Sequence, residues 1–344
     1  MSASSPTAPV NTPLLELRAV SKRFSKRLDF AAKLAKRLGA DVQEHTVHAV
    51  DRVSLTIQPG EVVGLVGESG CGKSTLGRMA AGLHTLTEGE RLYNGENAQA
   101  LQERLSAADY RRHMLGIQMI FQDPYASLNP RLRVSDIIGE APVAHGLVPA
   151  AEQENRVAEL MKQVGLDPQF MRRFPHQFSG GQRARIGIAR ALAVNPQFLI
   201  CDEAVAALDV SIQAQVINLF MQLRHDLKLT YLFISHDLGV VRHISDRVVI
   251  MYLGRVVESA TADEVFARPL HPYTQALLAE APTLQVKKKT YVAIKGEIPS
   301  PLHPPTGCHF HPRCPLAMER CKAEVPRLIH HDAQRSVACH VVNG

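Results

Sequence analysis

The sequence predicts an α/β fold built around a phosphate-binding loop, and three observations carry this. Short apolar runs, such as 62–66 and 198–201, alternate with segments of helical period. That is the pattern of parallel strands buried on both faces. The stretch "GESGCGKST", residues 67–75, follows the first of these runs directly. A second glycine-rich turn, "FSGGQ" at 178–182, opens another helix.

Residues 1–13 lack a charged start followed by an apolar core, so they read as a disordered leader and not as a secretory signal. "LLELRAV", 14–20, is a first strand. In 27–40, Phe30, Leu34 and Leu38 recur every four residues among Lys33, Lys36 and Arg37, which predicts a basic helix within an insert at 25–47. That helix touches anionic lipid or a membrane partner, or is a solvated face. Residues 50–67 give two strands around Pro59-Gly60, and a helix runs from Lys73 to about Ala81, closed by Gly82. From 100 to 175 the pattern is mostly helical. "PQFLICDE" and "LTYLFISHD" are buried strands, separated by a helix marked by Ile212, Val216, Leu219, Phe220 and Leu223. "RVVIMYLG" and "RVVESA" are further strands, and Thr261 with Glu264 forms a capping-box pattern. Beyond about 270 the composition turns rich in Pro, His and Cys.

The composition excludes several classes. No run approaches the ~18 apolar residues of a membrane span; the longest pure stretch is Val248 to Leu253. The net charge of +6 is scattered, and aromatics make up 5% with no Trp, which argues against a stacking platform for single-stranded nucleic acid. The expectation is a chain outside the bilayer, on the cytoplasmic side.

The phosphate loop has a physical logic. Gly67, Gly72, Lys73 and Ser74 satisfy G-x-x-x-x-G-K-[ST] between a strand and a helix. Glycines let the backbone N–H groups of Glu68, Ser69, Gly70, Cys71 and Thr75 curl towards phosphates, and the helix N-terminus adds partial positive charge. Lys73 reaches the β- and γ-phosphates and Ser74 can bind Mg²⁺. Asp202 ends an apolar strand, the context in which a carboxylate holds magnesium through water; Glu203 follows and can polarise an attacking water. Ser179 N-caps the next helix, and Gly180 and Gly181 expose backbone donors, making a second phosphate cradle. Two cradles suit two chains packed head to tail, each closing the other's site.

These motifs together resemble the ATP-binding cassette (ABC) ATPases, over residues 14 to about 260. "GESGCGKST" matches their Walker A motif, "FLICDE" their Walker B and "FSGGQ" their signature. The resemblance implies a RecA-like core, an antiparallel β subdomain and a helical signature subdomain at about 100–190, within a cassette spanning 14–270. It also implies roles. Gln122 in "FQDP" senses Mg²⁺ and faces a membrane subunit. His236 holds the γ-phosphate, and Phe24 stacks on adenine. Ser179, Gly180, Gly181, Gln182 and Asp209 serve the other chain's ATP in trans. Phe178 and Ala206 depart from the usual Leu and Ser of the family. With Glu203 and His236 both present, an active ATP hydrolase is implied.

The tail, 271–344, narrows the branch. "HPYTQALLAEAP", "GEIPSPLHPPTGCHFHPRCPLAMERC" and "FQDPYASLNPR" resemble the F-type ATPases of the dipeptide/oligopeptide importers, in the peptide and nickel branch. Implied partners are a second, non-identical ATPase, two transmembrane permeases and an extracytoplasmic solute-binding protein, at the cytoplasmic face of the inner membrane. Nickel or another small solute is the alternative cargo. A soluble ABC ATPase acting on nucleic acid or ribosomes is the alternative of another class, although no long heptad run or second cassette supports it.

Cys308, Cys314, Cys321 and Cys339 are spaced C-x5-C-x6-C-x17-C within the last 37 residues. Clustered cysteines in a reducing compartment suggest metal over disulfides. The donor set suits an iron–sulfur cluster or zinc, with free thiols as the remaining alternative, and the family resemblance implies [4Fe–4S]. His309, His311 and His340 are alternative ligands, or simply neighbours. The metal is expected to staple a tail too short for its own core.

Overall fold

The computed structural model describes residues 12–25, 46–280, 296–332 and 334–344. The expected basic helix at 27–40 lies outside the described residues, as does most of the expected leader. The chain packs as two compact units, each assembled from separated stretches.

The first unit contains residues Thr56–Val66 and Arg91–Val248. At its centre is a parallel sheet ordered Val62–Val66, Thr230–Ile234, Phe198–Asp202, Ile117–Ile120. Val63 pairs with Leu232, and Asp202 with Ile234. The strands at 62–66, 198–202 and 230–234 are buried at every position, which accounts for their unbroken apolar runs. The helices Gly180–Leu192 and Val210–Leu227 pack on this sheet through one core that includes Ile186, Ile188, Val216 and Phe220. Phe220 meets Tyr231 and Phe233 edge-on, each at 5.8 Å between centroids. Burial of each such ring is worth about 1.5–3 kcal/mol. The ring geometry adds about 0.5–1.5 kcal/mol, so packing area dominates.

The helices Val134–Ala144 and Gln153–Gln163 supply Val134, Ile138, Val157, Leu160 and Met161 to the same core. The region 100–175 is not wholly helical. Ile117–Ile120 is the fourth parallel strand, pairing Ile117 with Phe198 and Ile120 with Cys201. Four residues are too few for a period to distinguish strand from helix.

The second unit holds residues Leu17–Leu55, Gly67–Glu90 and Val249–Gly344. The glycine-rich loop and the helix Lys73–Ala80 belong to it, together with the whole C-terminal region. Arg255–Thr261 pairs antiparallel with Ser336–Val337, which pairs with Ile329–His330. An aromatic cluster forms the heart of the C-terminal part. Tyr252 lies 4.7 Å from Tyr273 and 5.2 Å from Phe310, centroid to centroid. All three rings are essentially buried. The tail therefore shares a core with the strand ending at Tyr252, and its packing does not rest on a staple alone. Glu258, fully buried, accepts from the backbone N–H groups of Leu270 and His271 at 3.0 and 2.9 Å. Those bonds fix the turn into the helix Pro272–Glu280.

Candidate functional site

The strand Val62–Val66 runs straight into the glycine-rich loop. Its glycines are required by close backbone approach. A Cβ on Gly72, at φ 105°, would lie 2.1 Å from the Ala49 carbonyl oxygen, and one on Gly67 would lie 2.1 Å from that of Met251. No side chain fits either place. Lys73 is buried, and its ammonium donates to the carbonyls of Gly67 at 2.7 Å and Glu68 at 3.0 Å. Ser69 and Gly70 are exposed, while Ser74 and Thr75 are half-buried on the first turn of the helix. Cys71 is buried, and burial pushes its thiol above the ordinary range against the pull of Lys73. Its carbonyl accepts from Gly254 N at 2.9 Å.

Glu68 is the most constrained residue of the loop. Contrary to the expectation that the N–H groups of Glu68 and Cys71 face phosphate, that of Glu68 donates to the Tyr273 hydroxyl at 2.9 Å and that of Cys71 to the Glu68 carbonyl at 3.3 Å. Both carboxylate oxygens of Glu68 accept from Arg313, at 2.8 and 2.9 Å, a bidentate pair. The Arg313 side chain is 5% exposed and that of Glu68 17%. Arg313 also donates to the Tyr252 hydroxyl at 3.3 Å. Neither Tyr273 nor Arg313 was legible as a site residue. The only signals were "HPYT", read for resemblance alone, and an arginine beside Cys314.

In the first unit, Asp202 ends its strand at 2% exposure. Glu203 then adopts φ 50°, the left-handed region unusual for a side-chain-bearing residue. Its N–H donates to the Ile234 carbonyl at 2.9 Å. Gln122 Nε2 donates to Glu203 Oε2 at 2.8 Å, and His236 Nδ1 lies 3.3 Å from the same oxygen. Two residues distant in sequence, Gln122 and His236, thus converge on the carboxylate of a third. Such a group can accept a proton while its neighbours hold a polar ligand in place.

Ser179 caps the helix Gly180–Leu192: its hydroxyl accepts from Gln182 N at 3.3 Å, and Gln182 Oε1 accepts from Ser179 N at 3.0 Å. A Cβ on Gly181 would come within 2.4 Å of Ile212, so packing against the helix Val210–Leu227 already requires this glycine. Around Gly180 nothing lies closer than Leu208 at 3.7 Å. Phe178 is buried and meets Phe170 edge-on, which retains an apolar anchor where Leu is usual. The buried Arg183 donates to the Pro175 carbonyl at 2.7 Å and fixes the chain leading into the turn. Asp209 stands at the N-cap of the helix Val210–Leu227, without a side-chain cap bond. Phe24 is 38% exposed, with Lys22 Nζ 5.2 Å from its centroid and the His84 ring edge-on at 5.5 Å.

The expected metal centre finds no support in the side-chain geometry. Among the described residues no group of three or more His, Cys, Asp or Glu could hold a metal ion. Cys308, Cys314, Cys321 and Cys339 form no disulfide, and the Cys308 N–H donates to the Cys321 carbonyl at 2.8 Å. They remain within electrostatic reach of one another: burial first, and then its cysteine neighbours, push the Cys308 thiol up to about 11. The three histidines are engaged elsewhere. A ring nitrogen of His309 bonds the Leu253 carbonyl at 2.8 Å, one of His311 that of Cys308 at 2.9 Å, and one of His340 that of Glu324 at 3.0 Å.

Residues 50–206 match the family model for ABC transporters, and residues 257–321 match that for the C-terminal region of oligopeptide/dipeptide transporters. The chain belongs to the oligopeptide/dipeptide branch of the ABC transporter ATP-binding proteins. It is 49% identical over 338 residues to the oligopeptide transport ATP-binding protein AppF of Bacillus subtilis, covering 97% of this chain and 99% of that one. It is 43% identical to the dipeptide transport ATP-binding protein DppF of Haemophilus influenzae, covering 96% and 97% of the two chains. Among solved structures, a post-hydrolysis dimer of the ATP-binding cassette MJ0796 bound to ADP and Pi matches 72% of this chain and 98% of its own. Its TM-score is 0.60 at 26% identity. As members of this ABC family are, the chain is an ATPase. No described helix is long and apolar enough to cross a membrane.

Proposed function

We propose that this chain hydrolyses ATP to power import of di- and oligopeptides, as the nucleotide-binding subunit of a membrane transporter. The observation that carries the hydrolytic reading is the convergence of Gln122 and His236 on the Glu203 carboxylate. The substrate class rests on the relatives, whose names specify oligopeptide and dipeptide transport and which match nearly end to end.

Site roles follow from the chemistry each residue can supply. The turn 67–75 is a cradle that side chains at Gly67 and Gly72 would block, with a buried ammonium at Lys73. That donor set fits the phosphates of ATP. Ser74, Gln122 and Asp202 would hold Mg²⁺, whose charge neutralises the departing phosphate. Glu203 takes a proton from the attacking water, and Gln122 and His236 keep its carboxylate in place. Ser179, Gly180, Gly181, Gln182 and Asp209 serve the ATP of a second ATPase subunit, and Phe24 meets the adenine. The ATPase sits at the inner face of the cytoplasmic membrane against two transmembrane permeases, and an extracytoplasmic solute-binding protein delivers the peptide.

The test is ATP turnover of the chain reconstituted with its permeases. Addition of peptide-loaded binding protein is expected to stimulate it. Stimulation by nickel-loaded binding protein instead would move the cargo, and stimulation by DNA or ribosomes alone would overturn the transport reading.

The finer metal reading is that the four cysteines ligate a [4Fe–4S] cluster. Its support is the donor set, since iron–sulfur clusters are held by four Cys thiolates, together with the electrostatic influence of Cys314, Cys321 and Cys339 on Cys308. Anaerobically purified protein is then expected to carry iron and acid-labile sulfide, with a broad visible absorption. Iron-free protein with a normally folded tail would remove this reading.

A further inference from the structure

The loop that cradles phosphates carries a carboxylate of its own. Glu68 follows the first glycine of the motif, so a negative side chain is built into a turn that receives a polyanion. Its three polar functions have separate partners. The carbonyl accepts from Lys73, the N–H donates to Tyr273, and the carboxylate is gripped by Arg313. Two of these ties come from the C-terminal region and lie 205 and 245 residues away in sequence.

The supports behind those ties are buried and hydrogen-bonded. Tyr273 is fully buried, packed at a tilt against Tyr252 and Phe310, and its N–H donates to His271 Nδ1 at 3.0 Å. His271 is buried and donates its own N–H to Glu258. The His-Pro-Tyr turn is thus a strut running from a buried carboxylate to the backbone of Glu68. Arg313 stands on the turn His311–Arg313, its guanidinium 5.8 Å from the Tyr252 ring centroid. A guanidinium held in this way presents a fixed fork, which a flexible ammonium would not reproduce.

We infer that Tyr273 and Arg313 are positioning residues for nucleotide binding: the C-terminal region sets the phosphate loop through Glu68, and Arg313 neutralises the loop's own carboxylate. The inference rests on reading residues 67–75 as the ATP-phosphate loop. It gives the C-terminal region a part in the ATP site itself.

Titration of the full-length chain with a fluorescent mant-ATP tests it. Arg313→Met leaves Glu68 charged and unpaired, and is expected to weaken binding by roughly tenfold, the usual size of coupling between neighbouring charged groups. Adding Glu68→Gln removes the exposed charge, so the double variant Glu68→Gln/Arg313→Met is expected to bind within about threefold of Glu68→Gln alone. Arg313→Lys keeps the charge without the fork and falls between wild type and Arg313→Met. Tyr273→Phe removes one oxygen and costs a few-fold. A purely structural staple would lower the melting temperature without moving the affinity, and would gain nothing from Glu68→Gln. Wild-type affinity in Arg313→Met, or a double variant no better than it, overturns the inference. Should Arg313→Met fail to fold, unchanged affinity in both Arg313→Lys and Tyr273→Phe overturns it equally. Lys73→Ala separates the two levels: if that variant still binds mant-ATP normally, the loop assignment itself is wrong.

Discussion

Glu203→Gln should bind ATP and scarcely hydrolyse it. The substitution keeps the size of the side chain and leaves an oxygen for the Gln122 amide, which donates to Glu203 at 2.8 Å. What it removes is the capacity to take a proton from water. General-base catalysis typically contributes ~10²–10⁴-fold, and turnover is expected to fall by that amount. The backbone stays at its unusual φ of 50°, which Gln tolerates no worse than Glu, so the melting temperature should hold. Single-turnover hydrolysis, followed beside nucleotide affinity, separates the two effects. Near wild-type turnover with intact binding would take Glu203 out of the chemistry and leave its convergence with Gln122 and His236 as structural packing.

Lys73→Ala has its effect one step earlier, on binding. The ammonium is buried, at 5% exposure, and holds two loop carbonyls. Removing it deletes the charge that meets the phosphates and both bonds that keep Gly67 and Glu68 in register. Hydrogen bonds to charged groups are worth about 1.5–3 kcal/mol each, so the affinity for ATP should fall by roughly 10²-fold or more. Thermal melting offers a direct reading. A ligand held only by the folded state raises the wild-type melting temperature in proportion to the logarithm of its concentration. In Lys73→Ala that rise is expected to vanish at millimolar ATP. A full ATP-dependent rise in the variant would show that the phosphates are held without Lys73.

The legible parts of this protein were those whose chemistry is local. The strands at 62–66, 198–202 and 230–234 announce themselves because they are buried on both faces and can carry little but apolar residues. Ser179 and Gln182 form the capping box that their spacing implies. Ile117–Ile120, "IQMI", was hidden by its length and by a helical neighbourhood. Glu88–Tyr93 was hidden by three exposed residues in six. The grouping of Gln122, Glu203 and His236 could be expected only through resemblance, since nothing in the sequence points Gln122 at Glu203, 81 positions further on. For the four cysteines, spacing identifies the donors and says nothing of how close the thiols come. The ties from Tyr273 and Arg313 to Glu68 have no local signature at all, because each partner satisfies an ordinary pattern where it stands.

The long reach of those ties affects the order in which the molecule becomes whole. A growing polypeptide exposes Glu68 to its surroundings 205 residues before Tyr273 is made and 245 before Arg313. At synthesis rates of ~5–20 residues per second, the delay is on the order of ten seconds to a minute. During that interval the nascent chain displays a glycine-rich turn bearing an unpaired carboxylate. Its final shape waits for the last part of the message. A transcript broken between the codons for His236 and Tyr273 would yield a product with every nucleotide motif in place and the phosphate turn still unsupported.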